Sequence, residues 1–488
     1  MEKRKEAKEE KGITADKEKN FSEWYTQIVQ KAELADLRYN IKGFLVFQPW
    51  SVLSMEKMYG HFEKVLQKKG HKPYFYPTLI PESNLKKESA HISGFAPEVF
   101  WVTHGGKKRF EEKYALRPTS ETAFYQMFSL WLRSYKDMPF KTYQRAQIFR
   151  YDTKATRPFL RSREFHWIET HCAFSTQQDA EAQVKEDMQT TKEVLYDIFG
   201  LPFMFFERPS WDRFPGASRT FAADVLNPDG KFVQQPSTHL VSQEFSKAFN
   251  VKFKDKDEKE KYAFMTCYGP AISRIFASVI IVHGDNKGLR FPWQIAPLQV
   301  VIVPIRDDPK IKNKAEDIKK KIEETETASV EIDYSEKSAG EKFNHWEMKG
   351  VPIRIDLGLK DLEKKQLTVF RRDLNKKETI PESMITDYID KVSKECTKNL
   401  TKEAGRLFQG KIKNAKNVLE IKKIVEQGGI ARCNFCSVEK QGIPCAEIVE
   451  KKIGAEVRGT KLEKEKASGK CSICSKKASA VVYIAKSY

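Results

Sequence analysis

Arginines recur through the segment Gln147–His171, and their neighbours point to phosphate chemistry. Arg150, Arg161 and Arg163 flank a polar, basic turn, and Arg157 lies near its middle. The guanidinium group offers a rigid fork of donors that matches phosphate oxygens, and aromatic rings beside it can stack on a base. The segment therefore predicts a nucleotide site, with a surface hairpin of solvated charges as the alternative. The rest of the chain decides between the two.

Two further charged residues, Arg274 and Glu121, lie at the predicted starts of helices, where a charge interacts with the helix dipole. Arg274 begins a buried helix, where the helix dipole opposes its charge unless an anion such as phosphate binds there. Glu121 lies in the first turn of another predicted helix, after Thr119 and Ser120. These residues suit ordinary capping, whereas the carboxylate could also hold a substrate ammonium group. Considered alone, the segment favours capping.

The segment from Gln234 to Lys247 is polar for a buried strand. A lone histidine such as His239 is usually structural. With Gln234 and Ser237 beside it, the wall of a binding pocket becomes a credible alternative.

Five of the eight cysteines lie between Cys433 and Cys474, and this clustering indicates a metal site. Cys433 and Cys436 form one Cys-x-x-Cys pair, and Cys471 and Cys474 form another. Four thiolates in two such pairs suit tetrahedral zinc, and a site made only of thiolates is predicted to be structural rather than catalytic. Cys445 is a fifth candidate that could replace one of the four.

Apolar patterns predict the elements that would hold these side chains. Alternation at both ends of Gln147–His171 predicts two strands joined by a turn. A helix is predicted near 52–66, followed by an extended segment at 73–77 that is bounded by prolines. This pair is predicted to be either core or a dimer interface. The inner face of the helix is predicted to consist of Val52, Met55, Tyr59, Phe62, Val65 and Leu66.

The length, composition and charge of the chain limit its possible domain organisation, partners and location. A chain of 488 residues predicts three domains. Strands that alternate with helices between 299 and 371 predict a small α/β domain with a mostly parallel sheet. A charged helical linker is predicted to follow near 383–403. The net charge of +19 favours nucleic acid as a partner, although dispersed lysines could simply favour solubility. Residues 1–18 predict a charged N-terminal tail without a secretory signal, and the apolar run Ile275–Val282 is too short to cross a bilayer. A cytoplasmic protein without membrane contact is predicted.

Five segments, in this order, resemble the class II aminoacyl-tRNA synthetases, and among them the prolyl-tRNA synthetases of the archaeal and eukaryotic-like type. They are Arg-Pro-Thr-Ser-Glu-Thr (117–122), Pro-Phe-Leu-Arg-Ser-Arg-Glu-Phe (158–165), Val-His-Gly-Asp-Asn-Lys-Gly-Leu (282–289), Gly-Val-Pro-Ile-Arg-Ile (350–355) and Ala-Lys-Ser-Tyr (485–488). The resemblance implies an α/β multidomain fold. A class II catalytic domain with an antiparallel sheet would span 19–296, an α/β anticodon-binding domain 297–400, and a small α+β, zinc-type C-terminal extension with the cysteine cluster 401–488.

The resemblance also implies a reaction, that of a proline–tRNA ligase. The carboxylate of L-proline attacks the α-phosphate of ATP, giving prolyl-adenylate and pyrophosphate, and the terminal ribose of tRNA(Pro) then takes the prolyl group. Such chemistry depends on positioning and charge stabilisation, which fits a site rich in arginine and poor in nucleophiles. ATP would enter with Mg²⁺, structural Zn²⁺ would occupy the cysteine cluster, and the segment 52–77, which resembles the first class motif, would form a homodimer.

Site residues carry over from the motifs of the family one by one. Arg150 should hold the α-phosphate and the carboxylate of proline, and Arg274 should clamp the γ-phosphate. Arg161 should reach the outer phosphates with Ser162 beside it, and Phe165 should stack on adenine or line its pocket. The other implied ATP-site residues are Asp152, Gln234 and Ser237. The implied proline-site residues are Thr119, Glu121, Arg150, Trp167, Glu169, His171 and His239.

The chain departs from the family pattern at several of these positions. The family usually has Glu where Asp152 stands and Thr where Ser237 aligns. The first cysteine pair is also atypical, and the family's pattern would allow Cys445 to replace Cys433 or Cys436.

Other functions compete with this one. Another class II synthetase, such as a threonyl or seryl enzyme, would share the fold, but Thr-Ser-Glu (119–121) and Arg-Glu-Phe-His-Trp (163–167) argue against it. A catalytically inactive relative that binds tRNA would not need a phosphate clamp. A zinc-dependent nucleic-acid module would explain only the last segment. The stretch between His171 and Cys267 has no room for the large editing insertion of bacterial-type enzymes, which predicts no editing of alanyl-tRNA in cis.

Overall fold

The computed structural model describes residues 12–91, 99–151 and 155–488. Two sequence predictions fall outside these ranges, namely the nucleotide contact of Asp152 and residues 1–11 of the charged tail. Among the helices of the described ranges, none combines the length and the apolar character needed to cross a membrane.

The first 300 residues supply most of one long sheet and the helices that cover it. The helices are α1 (Phe21–Lys31), α2 (Pro49–Lys68), α3 (Glu82–His91), α4 (Glu121–Trp131), α5 (Gln177–Thr191), α6 (Glu244–Ala248) and α7 (Ile272–His283). The strands are β1 (Ala35–Asp36), β2 (Val46–Phe47), β3 (Lys72–Pro73), β4 (Leu79–Pro81), β5 (Trp101–Gly105), β6 (Lys108–Leu116), β7 (Phe140–Phe149), β8 (Glu164–Phe174), β9 (Met204–Glu207), β10 (Arg219–Leu226), β11 (Lys231–Ser242), β12 (Lys252–Lys254), β13 (Glu260–Tyr262) and β14 (Phe264–Gly269).

The predicted hairpin is the pair β7 and β8. The two strands are antiparallel, with Phe140 opposite Ala173 and Phe149 opposite Glu164. The sheet continues in the order β9-β10-β11-β14-β8-β7-β3, and its pairs are antiparallel except for the short parallel edge strand β3. The helices α1, α2 and α7 share one buried cluster with residues of this sheet. The antiparallel sheet that the sequence predicts is therefore confirmed.

The inner face of α2 differs from the prediction at its first turn. Val52 is 38% exposed, whereas Ser51 and Ser54 are fully buried. The Ser51 hydroxyl donates to the carbonyl oxygen of Leu34 at 2.7 Å, and the Ser54 hydroxyl donates to that of Ile295 at 2.8 Å. Small hydroxyl residues can occupy a core when carbonyls satisfy them, and a search for apolar periodicity does not detect them.

The α/β domain follows. It contains β15 (Val300–Pro304), α8 (Pro309–Glu323), β16 (Val330–Ile332), α9 (Ala339–Lys349), β17 (Ile353–Leu357), α10 (Leu359–Glu363), β18 (Gln366–Arg371), β19 (Lys376–Pro381) and α11 (Ile385–Gly410). The strand order is β16-β15-β17-β18-β19, in which the first three strands are parallel and the last two are antiparallel additions. The predicted linker is α11, which buries Ile389, Val392 and Leu400 in the core of this domain.

The last part of the chain contains β20 (Ile412–Ala415), α12 (Val418–Glu426), β21 (Ile430–Phe435), α13 (Ile443–Ile453), β22 (Glu456–Lys461) and β23 (Ala480–Ser487). Its strands, in the order β20-β21-β23-β22, join the long sheet because β22 pairs with β9. The strand β23 also pairs with the start of β11. The C-terminal α+β unit is thus an extension of the same sheet.

Candidate active site

A cavity of about 350 Å³ opens beside the strands β8, β11 and β14 and the N-terminal ends of α4 and α7. A smaller cavity of about 170 Å³ shares Arg150, Phe165, Gln234 and Arg274 with it. The predicted site residues that line the larger cavity are Thr119, Glu121, Arg150, Phe165, Trp167, Glu169, His171, Gln234, Ser237, His239 and Arg274. Arg161 and Ser162 line the smaller one. These residues therefore lie together in one site, and the role of each residue stays a prediction.

The strand β8 explains how four of these side chains come together. Phe165, Trp167, Glu169 and His171 alternate along β8, so they project from the same face of the sheet. Phe165 and Trp167 meet edge to face with ring centroids 5.7 Å apart. The strand thus presents an aromatic half and a polar half to the cavity.

Arg150 follows directly after β7 and reaches the point where the two cavities meet. Its Nε donates to the carbonyl oxygen of Pro118 at 3.1 Å. Its guanidinium carbon lies 5.3 Å from the ring centroid of Phe165 and 5.9 Å from that of Trp167. Two aromatic faces and one carbonyl therefore hold the guanidinium group in place.

Arg274 is the third residue of α7, within the turn whose dipole is positive. Its Nη1 donates to the backbone carbonyl of Gln234 at 3.3 Å. Burial, together with the charges of Arg150 and Arg161, lowers the pKa of Arg274 to about 10. Three guanidinium groups near a helix N-terminus form a strongly positive site, and a bound phosphate would relieve their repulsion.

The larger cavity is also lined by the carboxylate of Glu121. The Thr119 hydroxyl donates to the carboxylate of Glu121, and burial raises the pKa of Glu121. Ser120, at the N-cap position of α4, makes no capping hydrogen bond and instead accepts one from Gln144 Nε2 at 2.9 Å. The expectation of ordinary capping is therefore wrong for this segment, because Thr119 and Ser120 bind buried side chains instead.

A second carboxylate, Glu169, lies behind the first. Gln144 Nε2 donates to its Oε1 at 2.6 Å, and His171 Nε2 lies 3.3 Å from its Oε2. Burial acts to raise the pKa of Glu169, but the hydrogen bond and the charge of His171 outweigh it, so the pKa lies below its ordinary value. The hydroxyl of Tyr125 completes the network at 3.0 Å from His171 Nδ1. The two buried carboxylates Glu121 and Glu169 line a cavity that also holds arginines, and they suit a substrate that carries an ammonium group.

His239 closes another wall of the cavity. Its Nδ1 lies 3.0 Å from the hydroxyl of Thr220, and its Nε2 lies 3.0 Å from that of Ser237. Burial, with a smaller contribution from the charge of Arg208, lowers the pKa of His239 to about 3, so the ring is neutral at physiological pH. The residue is part of a pocket wall, as the alternative prediction had it.

Several lining residues are not among the site residues predicted from the sequence. The larger cavity is also lined by Arg208, Phe214, Thr220, Cys267 and Tyr268, and the smaller cavity by Tyr488. Arg208 follows a short strand, and nothing in the local pattern marks it as part of a site. Tyr488 reaches the site from β23, and its hydroxyl accepts from Arg157 Nη1 at 3.2 Å. Only the parallel pairing of β23 with β11 accounts for its position.

The cysteine cluster forms a separate site with a different membership from the one predicted first. The sulfurs of Cys436, Cys445, Cys471 and Cys474 all lie within 4.8 Å of one another, and Cys433 does not belong to this group. Cys433 lies inside β21 and is buried in the core of the C-terminal unit, whereas Cys436 lies just beyond the end of that strand. The spacing of three residues along a strand turns the two side chains to opposite faces. Cys445, on α13, completes the group.

Three family models cover most of the chain. The tRNA synthetase class II core domain (G, H, P, S and T) matches residues 100–283, an anticodon binding domain matches 299–392, and the prolyl-tRNA synthetase C-terminal domain matches 418–488. The proline–tRNA ligase of Thermofilum pendens is 45% identical over 98% of this chain and all of its own length. The chain belongs to the prolyl-tRNA synthetase family. The enzyme of Methanobrevibacter smithii is 40% identical over 96% of this chain and 99% of its own.

Solved structures of prolyl-tRNA synthetases agree with this family membership. The Giardia lamblia enzyme in complex with prolyl-adenylate has a TM-score of 0.93 and 35% identity, covering 98% of this chain and all of its own. The Cryptosporidium parvum enzyme complexed with halofuginone and AMPPNP has a TM-score of 0.91 and 32% identity, with the same coverage. The predicted family and fold class, including the class II core and the anticodon-binding domain, are confirmed.

Proposed function

We propose that this chain is a proline–tRNA ligase that activates L-proline with ATP and transfers it to tRNA(Pro), using the two joined cavities. The observation that carries the proposal is that Arg150 lines both cavities, together with Arg161 and Arg274 in the smaller cavity and with Glu121 and Glu169 in the larger one. A substrate phosphate and a substrate carboxylate must meet at such a point in the first half-reaction. The prolyl-adenylate bound by the Giardia relative supports this order of events.

The cationic cavity is proposed to hold ATP. A carboxylate oxygen of proline attacks the α-phosphorus, the bond to the β-phosphate oxygen breaks, and pyrophosphate leaves. Arg150 stabilises charge on the α-phosphate, while Arg161 and Arg274 hold the outer phosphates. The described residues that line the smaller cavity include no aspartate or glutamate side chain, so Mg²⁺ is proposed to arrive bound to ATP as part of the substrate. Phe165 offers a face for the base.

The acidic end of the larger cavity is proposed to hold proline. The Glu121 carboxylate, aligned by Thr119, accepts hydrogen bonds from the secondary ammonium group of the substrate. Trp167 and His239 supply walls for the rigid ring. The buried Trp167 Nε1 has no hydrogen-bond partner among the described residues, which leaves a donor for an oxygen of the substrate. In the second half-reaction a ribose hydroxyl of tRNA(Pro) attacks the prolyl carbonyl, and AMP leaves.

The four cysteines outside the active site are proposed to bind a structural Zn²⁺ ion. Zinc–sulfur bonds of about 2.3 Å at tetrahedral angles place the sulfurs about 3.8 Å apart. The sulfurs of Cys436 and Cys445 are 3.6 Å apart, which fits this geometry. The ion would link the end of β21, the start of α13 and the segment before β23, and it would serve folding rather than chemistry.

The protein is further proposed to be cytoplasmic, since its tRNA substrate is used in translation. It is also proposed to form a homodimer. Leu53 on α2 and Phe75 after the edge strand β3 are 51% and 86% exposed, and each offers an apolar side chain to a second copy. Phe75→Asp is expected to convert the dimer to monomers in sedimentation experiments. Leu419→Asp, at a leucine that is 79% exposed on α12, should leave the dimer intact. A monomeric unmodified protein would contradict the proposal.

The experiment that tests the function is exchange of labelled pyrophosphate into ATP, with each of the twenty amino acids supplied separately and no tRNA. Exchange that depends on proline is expected. Exchange with another amino acid would preserve the reaction and overturn the assignment of the pocket. Folded protein that binds tRNA but exchanges with no amino acid would indicate a catalytically inactive relative.

A further inference from the structure

A buried ion-pair network crosses from the C-terminal unit into the active site. Arg458 on β22 donates through Nε to Asp224 Oδ2 at 2.8 Å and through Nη2 to Asp224 Oδ1 at 3.2 Å. Arg208, which follows β9, donates to the same two oxygens at 3.0 Å and 2.7 Å. The three residues are 5%, 0% and 2% exposed in the order Arg458, Asp224 and Arg208. One buried carboxylate therefore holds two guanidinium groups from two parts of the chain.

The network continues into the larger cavity. Arg208 Nη2, besides its bond to Asp224, donates to Gln234 Oε1 at 3.1 Å. An arginine can only donate, so this contact fixes which end of the Gln234 amide faces it. The amide oxygen is turned toward Arg208, and the NH₂ group is left for the other side of the amide. Gln234 lines both cavities, so this donor is available to a bound nucleotide or adenylate.

The backbone conformation of β22 brings Arg458 into contact with Asp224 and Arg208. A register irregularity lies between Val457 and Gly459, and Gly459 has φ of +124°. A Cβ atom at Gly459 would lie 2.1 Å from the carbonyl oxygen of Glu207, so only glycine permits this approach to β9. The carbonyl oxygen of Arg458 also accepts from Arg208 Nη1 at 2.8 Å. Both the side chain and the backbone of residue 458 therefore contact the network.

We infer that Arg458 is a positioning residue for amino-acid activation, which acts through Asp224 and Arg208 to orient the amide of Gln234. The inference rests on the proposed function and adds to it a role for the C-terminal unit in the first half-reaction, before tRNA binds. When Arg458 is absent, Asp224 has one partner fewer and draws the shared Nη2 of Arg208 away from Gln234. The amide is then free to turn its oxygen toward the cavity, where it repels phosphate and carboxylate oxygens.

The test compares Arg458→Lys with Arg432→Lys in the full chain. Lysine keeps the positive charge but cannot bind both oxygens of Asp224. Arg432 pairs with Glu465 inside the C-terminal unit, in a partly exposed ion pair that includes none of the network residues, so it controls for the loss of an arginine ion pair in that unit. Proline-dependent pyrophosphate exchange is measured well below the melting temperature and is normalised to the folded fraction. Arg458→Lys is expected to lower kcat/KM for ATP by about tenfold to a hundredfold, and Arg432→Lys by less than about twofold.

A double-mutant cycle with Gln234→Ala separates positioning from general destabilisation. If Arg458 acts through Gln234, Arg458→Lys should change kcat/KM by less than about twofold in the Gln234→Ala background. An undiminished effect in that background, or an Arg458→Lys variant as active as the unmodified protein, would overturn the inference. If Arg458→Lys does not fold, Arg458→Met, which retains the aliphatic stem, takes its place in the cycle. Absence of exchange by the unmodified protein would instead overturn the proposed function.

Discussion

Arg150 is the residue on which the proposed chemistry depends most. It lies where the two cavities join, held by Pro118 and by the faces of Phe165 and Trp167. Arg150→Ala is expected to lower pyrophosphate exchange by about a thousandfold, because a charge-stabilising fork at the reacting phosphate is lost. Arg150→Lys should recover little of that loss, since an ammonium group cannot bind two oxygens in one plane. Binding of tRNA, measured on filters, should be nearly unchanged. Normal exchange by Arg150→Ala would disprove its assignment.

Glu121 provides the matching prediction for the amino acid. Its carboxylate is 3% exposed and is aligned by Thr119. Glu121→Gln should raise KM for proline by about tenfold to a hundredfold, because a hydrogen bond to a charged group contributes about 1.5 to 3 kcal/mol. KM for ATP should change little. Glu111→Gln, at an exposed position of β6, is the matched control. An unchanged KM for proline would exclude Glu121 from the ammonium site.

At the scale of elements, the strand β21 decides which cysteines meet. Cys445→Ser is expected to reduce bound zinc well below about one ion per chain, because a tetrahedral thiolate site then lacks a ligand. Cys433→Ser is the matched control, since Cys433 lies on the core side of β21 and outside the four-sulfur group. Metal content after dialysis, measured by mass spectrometry, distinguishes the two. Loss of zinc from Cys433→Ser but not from Cys445→Ser would reverse the assignment.

The packing of α5 against β11 makes a prediction about pH. Asp187 is 1% exposed, and its oxygens accept from Thr238 at 2.7 Å and Gln183 at 2.8 Å. Burial raises the pKa of Asp187 to about 7, so its contribution to stability is present below about pH 4 and is lost as pH rises through 7. Asp187→Asn should reduce the difference in unfolding free energy between pH 5 and pH 8 by about 2 kcal/mol. Urea melts at both pH values measure it, and an unchanged difference would show that Asp187 ionises normally.

Some elements and pairings could be predicted from the sequence, and others could not. The hairpin β7–β8 could be predicted because its alternation is local and its arginines are close in sequence. The joining of β22 to β9 could not, because it is a pairing between distant segments that depends on Gly459 and a register irregularity. The contact of Arg458 with Asp224 follows from this joining, and the place of Tyr488 in the smaller cavity follows from the equally distant pairing of β23 with β11. The choice of Cys445 over Cys433 likewise depends on which face of β21 is covered.

At the scale of the whole molecule, one continuous sheet carries both the proposed chemistry and the C-terminal unit. The strands β20 to β23 extend the sheet that forms the active site, and β23 places Tyr488 beside the arginines of the smaller cavity. The α/β domain has its own core, as expected of a separate unit that binds the anticodon. Because the C-terminal unit shares the sheet, its cysteine cluster and its ion pairs are expected to influence catalysis as well as folding.

The proposed activity is tested most simply by charging purified tRNA with labelled proline and ATP, using the full chain. We predict that prolyl-tRNA accumulates with tRNA(Pro), that it requires ATP, and that tRNAs for other amino acids are not charged. Transfer of a different amino acid, or folded protein that forms no prolyl-tRNA although proline, ATP and tRNA(Pro) are all present, would show that the chain is not a proline–tRNA ligase.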